Sequence, residues 1–179
     1  PSEHIPLPEP VDSGESSLEQ LLRQRRSVRD YRDTALRLAD ISQLLWSAQG
    51  ITHVRGYRTA PSAGALYPLE LYVVAGNVEE LAPGVYHYQA DANRLTKIRD
   101  GDQRKPLARI ALAQSWIADA PAVVVFAAVY ARTTRKYGER GERYVHMEAG
   151  HAAQNLFLQA GALGLGTVVV GAFRDKRLA

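Results

Sequence analysis

Pro61-Ser62-Ala63-Gly64-Ala65-Leu66-Tyr67-Pro68, followed directly by Leu69-Glu70-Leu71-Tyr72-Val73-Val74-Ala75, is a run of small residues between two prolines that leads into a β-branched and aromatic segment. The second part predicts a buried strand over 69–75. The first part predicts a tight loop. Small side chains there let the backbone approach a flat ring and offer its N–H and C=O groups to the ring edge. The same residues also suit a plain turn into the strand.

Upstream, Leu38, Ile41, Leu44, Leu45 and Ala48 recur at helical spacing and predict a helix over 38–49, with Gly50 as its C′ stop. An earlier helix begins near Ser16 or Ser17, where Ser16-Ser17-Leu18-Glu19 has capping-box spacing and Leu18, Leu21 and Leu22 form an apolar stripe. It runs into the arginine-rich stretch LLRQRRSVRDY at 21–31. Residues 1–15 read as a polar, proline-rich flexible arm, and 16–179 as one domain.

Downstream, 85–88 and 94–98 predict a short hairpin, 102–115 a helix and 121–131 a strand. A polar segment, RTTRKYGERGER at 132–143, precedes a long helix over 143–162. That helix places Val145, Ala149, Ala152, Leu156 and Ala160 on one side and is expected to be buried on more than one. GLGTVVVGAF at 164–173 predicts a final buried strand. Helices and strands mix without strict βαβ alternation, which predicts an α+β fold.

Composition removes several functions. Apolar residues make 46% of the chain and charged residues 23%, ordinary for a globular domain. No apolar run approaches the ~20 residues of a membrane span. The absence of cysteine excludes disulfides, thiolate metal sites and cysteine nucleophiles, and fits a cytoplasmic protein. A net charge of +3 does not require a nucleic-acid partner. His146 and His151 are five apart, which is not the spacing of a zinc helix, so no metal site is expected. Gly164-Leu165-Gly166 precedes a strand and lacks dinucleotide-binding context.

Two further segments carry candidate chemistry. Arg25, Arg26, Ser27 and Arg29 bring guanidinium forks and a hydroxyl together, a set suited to a phosphate monoester. The same cations also suit a solvated helix end. Lys136-Tyr137 is a possible acid–base pair, although most such pairs in polar loops do no chemistry.

In combination these segments are specific. RRSVRDY, PSAGALYPLELYVVA, HAAQNLFLQAGALGLGT and VVVGAF, in this order and spacing, resemble the FMN-dependent nitroreductase superfamily over about residues 17–173. The IPLPEP arm, SLEQLLRQRRSVRDY, PSAG and KYGERGERYVHMEAGHAAQN resemble its SagB-type branch, which contains azoline dehydrogenases of modified peptides. The resemblance implies a mostly antiparallel sheet flanked by helices and a domain-embracing homodimer with FMN at the interface. It assigns Arg25, Arg26, Ser27 and Arg29 to the FMN phosphate and ribityl chain. Pro61, Ser62, Ala63 and Gly64 of the other protomer would lie along the ring, with Val170, Gly171 and Ala172 at its N5 edge. Lys136-Tyr137 matches the Lys-Tyr pair of azoline dehydrogenases.

Three departures from the family pattern stand out. The sequence ends at Ala179, where relatives usually continue into a tail that adds a strand and a phosphate-binding residue to the partner, so weaker flavin binding is expected. Arg174 stands where an acidic residue is common, and Ala65-Leu66-Tyr67 replaces Gly- or His-containing versions of the loop. The functions in play are peptide-azoline oxidation, NAD(P)H-dependent reduction of nitro compounds or quinones, and a non-catalytic flavin-binding subunit of a peptide-modifying complex.

Overall fold

The computed structural model describes residues 3–178. Along the chain run β1 (His4–Pro6), α1 (Leu18–Gln24), α2 (Leu38–Gln49), β2 (Leu69–Ala75), β3 (Gly84–Gln89) and β4 (Arg94–Asp100). There follow α3 (Arg104–Ile110), α4 (Trp116–Asp119), β5 (Ala122–Ala128), α5 (Ala131–Tyr137), α6 (Arg140–Ala162) and α7 (Asp175–Leu178). The strands form one sheet in the order β1-β4-β3-β2-β5, antiparallel at every pairing. The α+β expectation and the antiparallel sheet are both met.

Alternation along β2 and β3 gives the sheet two apolar faces. Leu69, Leu71, Val73 and Ala75, with Tyr86, Tyr88 and Leu95, point into a core closed by α2 and α6. α2 supplies Leu38, Ile41, Leu44, Leu45 and Ala48, and α6 supplies Val145, Ala152, Leu156 and Ala160. Each large apolar side chain buried here contributes about 1.5–3 kcal/mol. Val74 points to the opposite face, where Leu107, Ala108, Ala111 and Ile117 of the α3–α4 region cover it beside Val85, Val123 and Val125. α6 therefore lies along the first face from Val145 to Ala160. It is the ruler of the molecule: 23 residues at about 1.5 Å each.

Several local expectations change. The last predicted strand is not one: over 164–173 the sheet gains nothing, and the segment makes only a parallel bridge between Ser27 and Thr167. Its apolar residues are used instead by packing, since Val170 and Phe173 join the core on the second face. The polar segment 132–143 is mostly helical, split between α5 and the start of α6 at the Gly138 turn. The expected 102–115 helix breaks after Ile110, where Leu112 and Ala113 take left-handed φ values of 57° and 62°.

The remaining corrections concern the first helices and α6. The first helix is capped one residue later than the Ser16 box, by Ser17 and Gln20, and none of its residues is buried. Gly50 does end α2, in extended rather than left-handed backbone, with the Trp46 ring where its Cβ would be. Within the expected flexible arm, His4–Pro6 pairs with β4, and Leu7 is buried. α6 buries one face, while Met147 and His151 remain exposed. No helix among the described residues is long and apolar enough to cross a membrane, and they hold no cluster suited to a metal ion.

Candidate active site

The 61–67 loop is built under strain. Gly64 (φ 65°, ψ 16°) lies in left-handed space, as do Ala65 (φ 53°) and Tyr67 (φ 44°). For residues with a Cβ this conformation costs roughly 1–2 kcal/mol each. The surroundings over-determine it. Tyr67 N–H donates to Ser62 Oγ (2.9 Å), and the Tyr67 hydroxyl accepts from Arg58 N–H (3.2 Å). The Arg58 guanidinium covers the Tyr67 ring at 4.7 Å, and Arg132 donates to the Tyr67 carbonyl (3.0 Å). Arg132 is itself held by Glu70, which also binds His87 (2.6 Å).

This strain presents Gly64 to α5. A Cβ on Gly64 would stand 2.7 Å from Tyr137 Oη and 3.0 Å from Lys136 Nζ. The structure thus brings Gly64 against Lys136 and Tyr137 inside one chain; Ser62 and Ala63 precede it in the same loop, which Pro61 opens as an exposed residue. Lys136 Nζ lies 5.4 Å from the Tyr137 ring centroid, and Tyr144 of α6 meets that ring edge-on at 5.2 Å.

The second group gathers at the other end of α6. Arg25, Arg26 and Val28 line a recess of about 120 Å³ with Phe157, Gly161, Gly166 and Thr167. Val28 N–H donates to Thr167 O (3.0 Å), which ties the Arg segment to the former strand candidate. Arg25 stacks over Phe157 at 5.2 Å and Arg29 over Trp116 at 5.5 Å. Among the described residues none of these arginines pairs with a carboxylate. Ser27 is exposed. Val170 packs in the second core beside Trp116, and Ala172 O accepts from Gln114 Nε2 (3.0 Å), so 170–172 lies on the side of the Arg group.

Sequence reading missed four residues of the loop's support: Arg58, Tyr67, Arg132 and Glu148. Glu148 is 2% exposed on the inner face of α6. Burial pushes its carboxyl above the usual range, against Ser62, Arg58, Gln49 and His151. The signal was available, because Glu148 falls three residues after Val145 and four before Ala152, on the buried stripe.

A small-residue loop before an interior strand, an arginine recess and a long helix are arranged in a nitroreductase-type fold. The nitroreductase family model matches residues 22–179, and the chain belongs to that family of oxidoreductases, whose members typically bind FMN. It is 50% identical over 167 residues to the nitroreductase-family protein MJ1384 of Methanocaldococcus jannaschii, covering 93% of this chain and 84% of that one. It is 29% identical over 127 residues to the microcin B17-processing protein McbC of Escherichia coli, covering 68% of this chain and 47% of McbC. A nitroreductase-family crystal structure from Anabaena variabilis superposes with a TM-score of 0.86 at 31% identity. The superposition covers 99% of this chain, which spans only 37% of the Anabaena chain.

Proposed function

We propose that this protein is an FMN-dependent dehydrogenase of the SagB type that oxidises azoline rings in modified peptides, with Lys136 and Tyr137 as its catalytic pair. The observation that carries the reading is the packing of Lys136 Nζ and Tyr137 Oη onto Gly64 of a strained, over-determined loop. Similarity to McbC, a microcin B17-processing protein, supports a peptide substrate.

The residues present fit FMN. Arg25, Arg26 and Arg29 offer donors without carboxylate partners among the described residues, beside a recess lined by glycines and Phe157. Gly64 leaves its backbone open on the side of Lys136 and Tyr137, where a side chain would intrude. Bound FMN would supply the two-electron acceptor. Tyr137 Oη would take the proton leaving the azoline carbon, with Lys136 Nζ beside it on the same face of the loop. One hydride and one proton leave the ring, which becomes an azole. The arginines anchor the phosphate, and the 61–64 loop with Val170, Gly171 and Ala172 borders the ring.

The two groups sit at opposite ends of α6. From Tyr144 to Phe157 is 13 residues, about 20 Å of helix. A second copy crossing antiparallel near Gly150 would bring the Arg group of one protomer beside the loop of its partner. Gly150 and Ala153, small and not fully buried, permit a close crossing. The working unit is therefore a homodimer.

The test is direct. Protein reconstituted with FMN should oxidise an azoline peptide, and Lys136→Ala and Tyr137→Phe should retain flavin yet lose about 10²–10⁴-fold in turnover. Unchanged turnover in both variants refutes the assignment. Similarity to MJ1384 keeps one competing reading, an NAD(P)H-dependent nitro or quinone reductase. Rapid flavin bleaching by NADH or NADPH, with no azoline oxidation, would establish that activity instead.

A further inference from the structure

The ladder between β2 and β5 ends at the pair Leu69 and Ala128, and beyond it the 61–67 loop and α5 diverge. Val129 N–H donates to Pro68 O (2.8 Å) and ties the two just past the last pair. In the first turn of α5, Arg132 Nη1 donates to Tyr67 O (3.0 Å) and ties them again. A single hydrogen bond is a pivot, about which the helix can tilt against the loop. The second bond, at the neighbouring carbonyl, fixes the tilt.

Arg132 is held to that task by the sheet. Its Nη2 meets Glu70 Oε1, while Glu70 Oε2 is taken by His87 Nε2 (2.6 Å). His87 leans in turn on the Tyr72 ring, with centroids 5.0 Å apart. Glu70 and Tyr72 stand on β2 and His87 on β3, two paired interior strands. A planar guanidinium can meet a carbonyl and a carboxylate at once, which a lysine ammonium, a point charge, does poorly.

We propose that Arg132 is a positioning residue of the active site: by joining Tyr67 O to Glu70 it sets the tilt of α5 against the 61–67 loop, and so the approach of Lys136 and Tyr137 to Gly64. The inference rests on the reading of those two residues as the catalytic pair. The lever is short. Lys136 follows Arg132 by one turn of the same helix. Gly64 precedes Tyr67 by three residues, and its Cβ position lies 2.7 Å from Tyr137 Oη and 3.0 Å from Lys136 Nζ. A tilt at the clamp is therefore felt directly at that contact.

The experiment has one arm without turnover and one with it. In the full chain without flavin, hydrogen exchange is followed at the Tyr67 amide, which donates to Ser62 Oγ (2.9 Å). Loss of a hydrogen bond from a charged donor should quicken it about tenfold or more in Arg132→Ala. Arg135→Ala, at an exposed position of the same helix, should exchange as wild type does. An unchanged rate in Arg132→Ala overturns the proposal.

In the FMN-loaded enzyme, Arg132→Ala should lose about 10- to 100-fold in kcat for azoline oxidation, with KM unchanged. A raised KM with kcat intact overturns the proposal. The same substitution made in Gly64→Ala should cost much less, because the contact that the clamp sets is already broken there. A loss of full size in both backgrounds marks support unrelated to that contact and also overturns it. Should Arg132→Ala fail to fold, Arg132→Lys decides by the same measurements, since it keeps the charge without the fork. A wild type that oxidises no azoline refutes the function proposed for the catalytic pair, while the exchange comparison still reports on the clamp.

Discussion

Replacing Gly64 with alanine separates the two demands made on the loop. The backbone demand is modest. At φ 65° and ψ 16° an alanine pays roughly 1–2 kcal/mol. Restricting the unfolded chain returns about 0.4–1 kcal/mol of that. A net loss of about 1 kcal/mol corresponds to about 2–4 °C in Tm for a chain of this size.

The steric demand is sharper. The new Cβ would lie 2.7 Å from Tyr137 Oη, whereas ordinary contact begins at 3.4 Å, so the hydroxyl must retreat by about 0.7 Å. The neighbours are the ends of flexible side chains, and the fold survives the change. The catalytic geometry does not, since a displacement of about 1 Å costs about 10²-fold in rate. Gly64→Ala is therefore expected to lose about 10- to 100-fold in kcat with a small fall in Tm.

Gly56 is the matched control. It also has positive φ (77°), with nothing within 4 Å of its Cβ position. Gly56→Ala should show a similar fall in Tm with turnover intact. Thermal melts followed by circular dichroism and azoline-peptide oxidation read both quantities. Equal turnover in the two variants would refute the claim that Gly64 is kept bare for Tyr137 and Lys136.

Two further predictions concern binding and acid stability. Arg25→Ala removes a charge-assisted donor worth about 1.5–3 kcal/mol and should weaken FMN binding about 10- to 100-fold by fluorescence titration; normal affinity would move the phosphate site elsewhere. Asp40→Ala removes the box at the start of α2, where Asp40 Oδ2 accepts from Arg37 N (3.2 Å) and Nε (3.0 Å), for an expected loss of about 1 kcal/mol. The Arg37 hydrogen bond, opposed by burial, holds the Asp40 carboxyl below its usual range. That stabilisation is present above the unfolded value of about 4 and disappears as pH falls through the lower folded value. The gap in Tm between wild type and variant should close on acidification, and a constant gap would refute the linkage.

The elements legible in the sequence are those whose pattern and packing agree. α2 occupies 38–49 and β2 occupies 69–75 as expected, because each places its apolar residues against the same core. The 164–173 segment misleads because its continuous apolarity does not name a partner, and Val170 and Phe173 are partly buried by packing alone. α5 is invisible for the opposite reason. Its polar composition shows no stripe, and it is held by α6, where Gly141 lets the helix backbone approach Thr133 and Thr134. The candidate site divides in the same way. Its residue types were legible, but the left-handed backbone of Ala65 and Tyr67 is dictated by Arg58, Ser62 and Arg132, which are distant in sequence or chemically ordinary.

That dependence explains why the loop does not relax. Left-handed backbone at Ala65 and Tyr67 would be avoided by a free chain, and an alanine and a tyrosine gain nothing locally from adopting it. Tyr67 is instead held from outside: its ring lies under Arg58, its N–H donates to Ser62 and its carbonyl accepts from Arg132. Arg132 is anchored in turn to Glu70 of β2, and Asn155 of α6 donates to Thr59 O (3.3 Å) just before the loop. The loop's conformation is thus set by the sheet and the long helix rather than by its own sequence. A change in either support would move Gly64 relative to Lys136 and Tyr137 without touching them. The rigidity of the central strand and of α6 is therefore transmitted to the proposed site, and strain is the form in which it arrives.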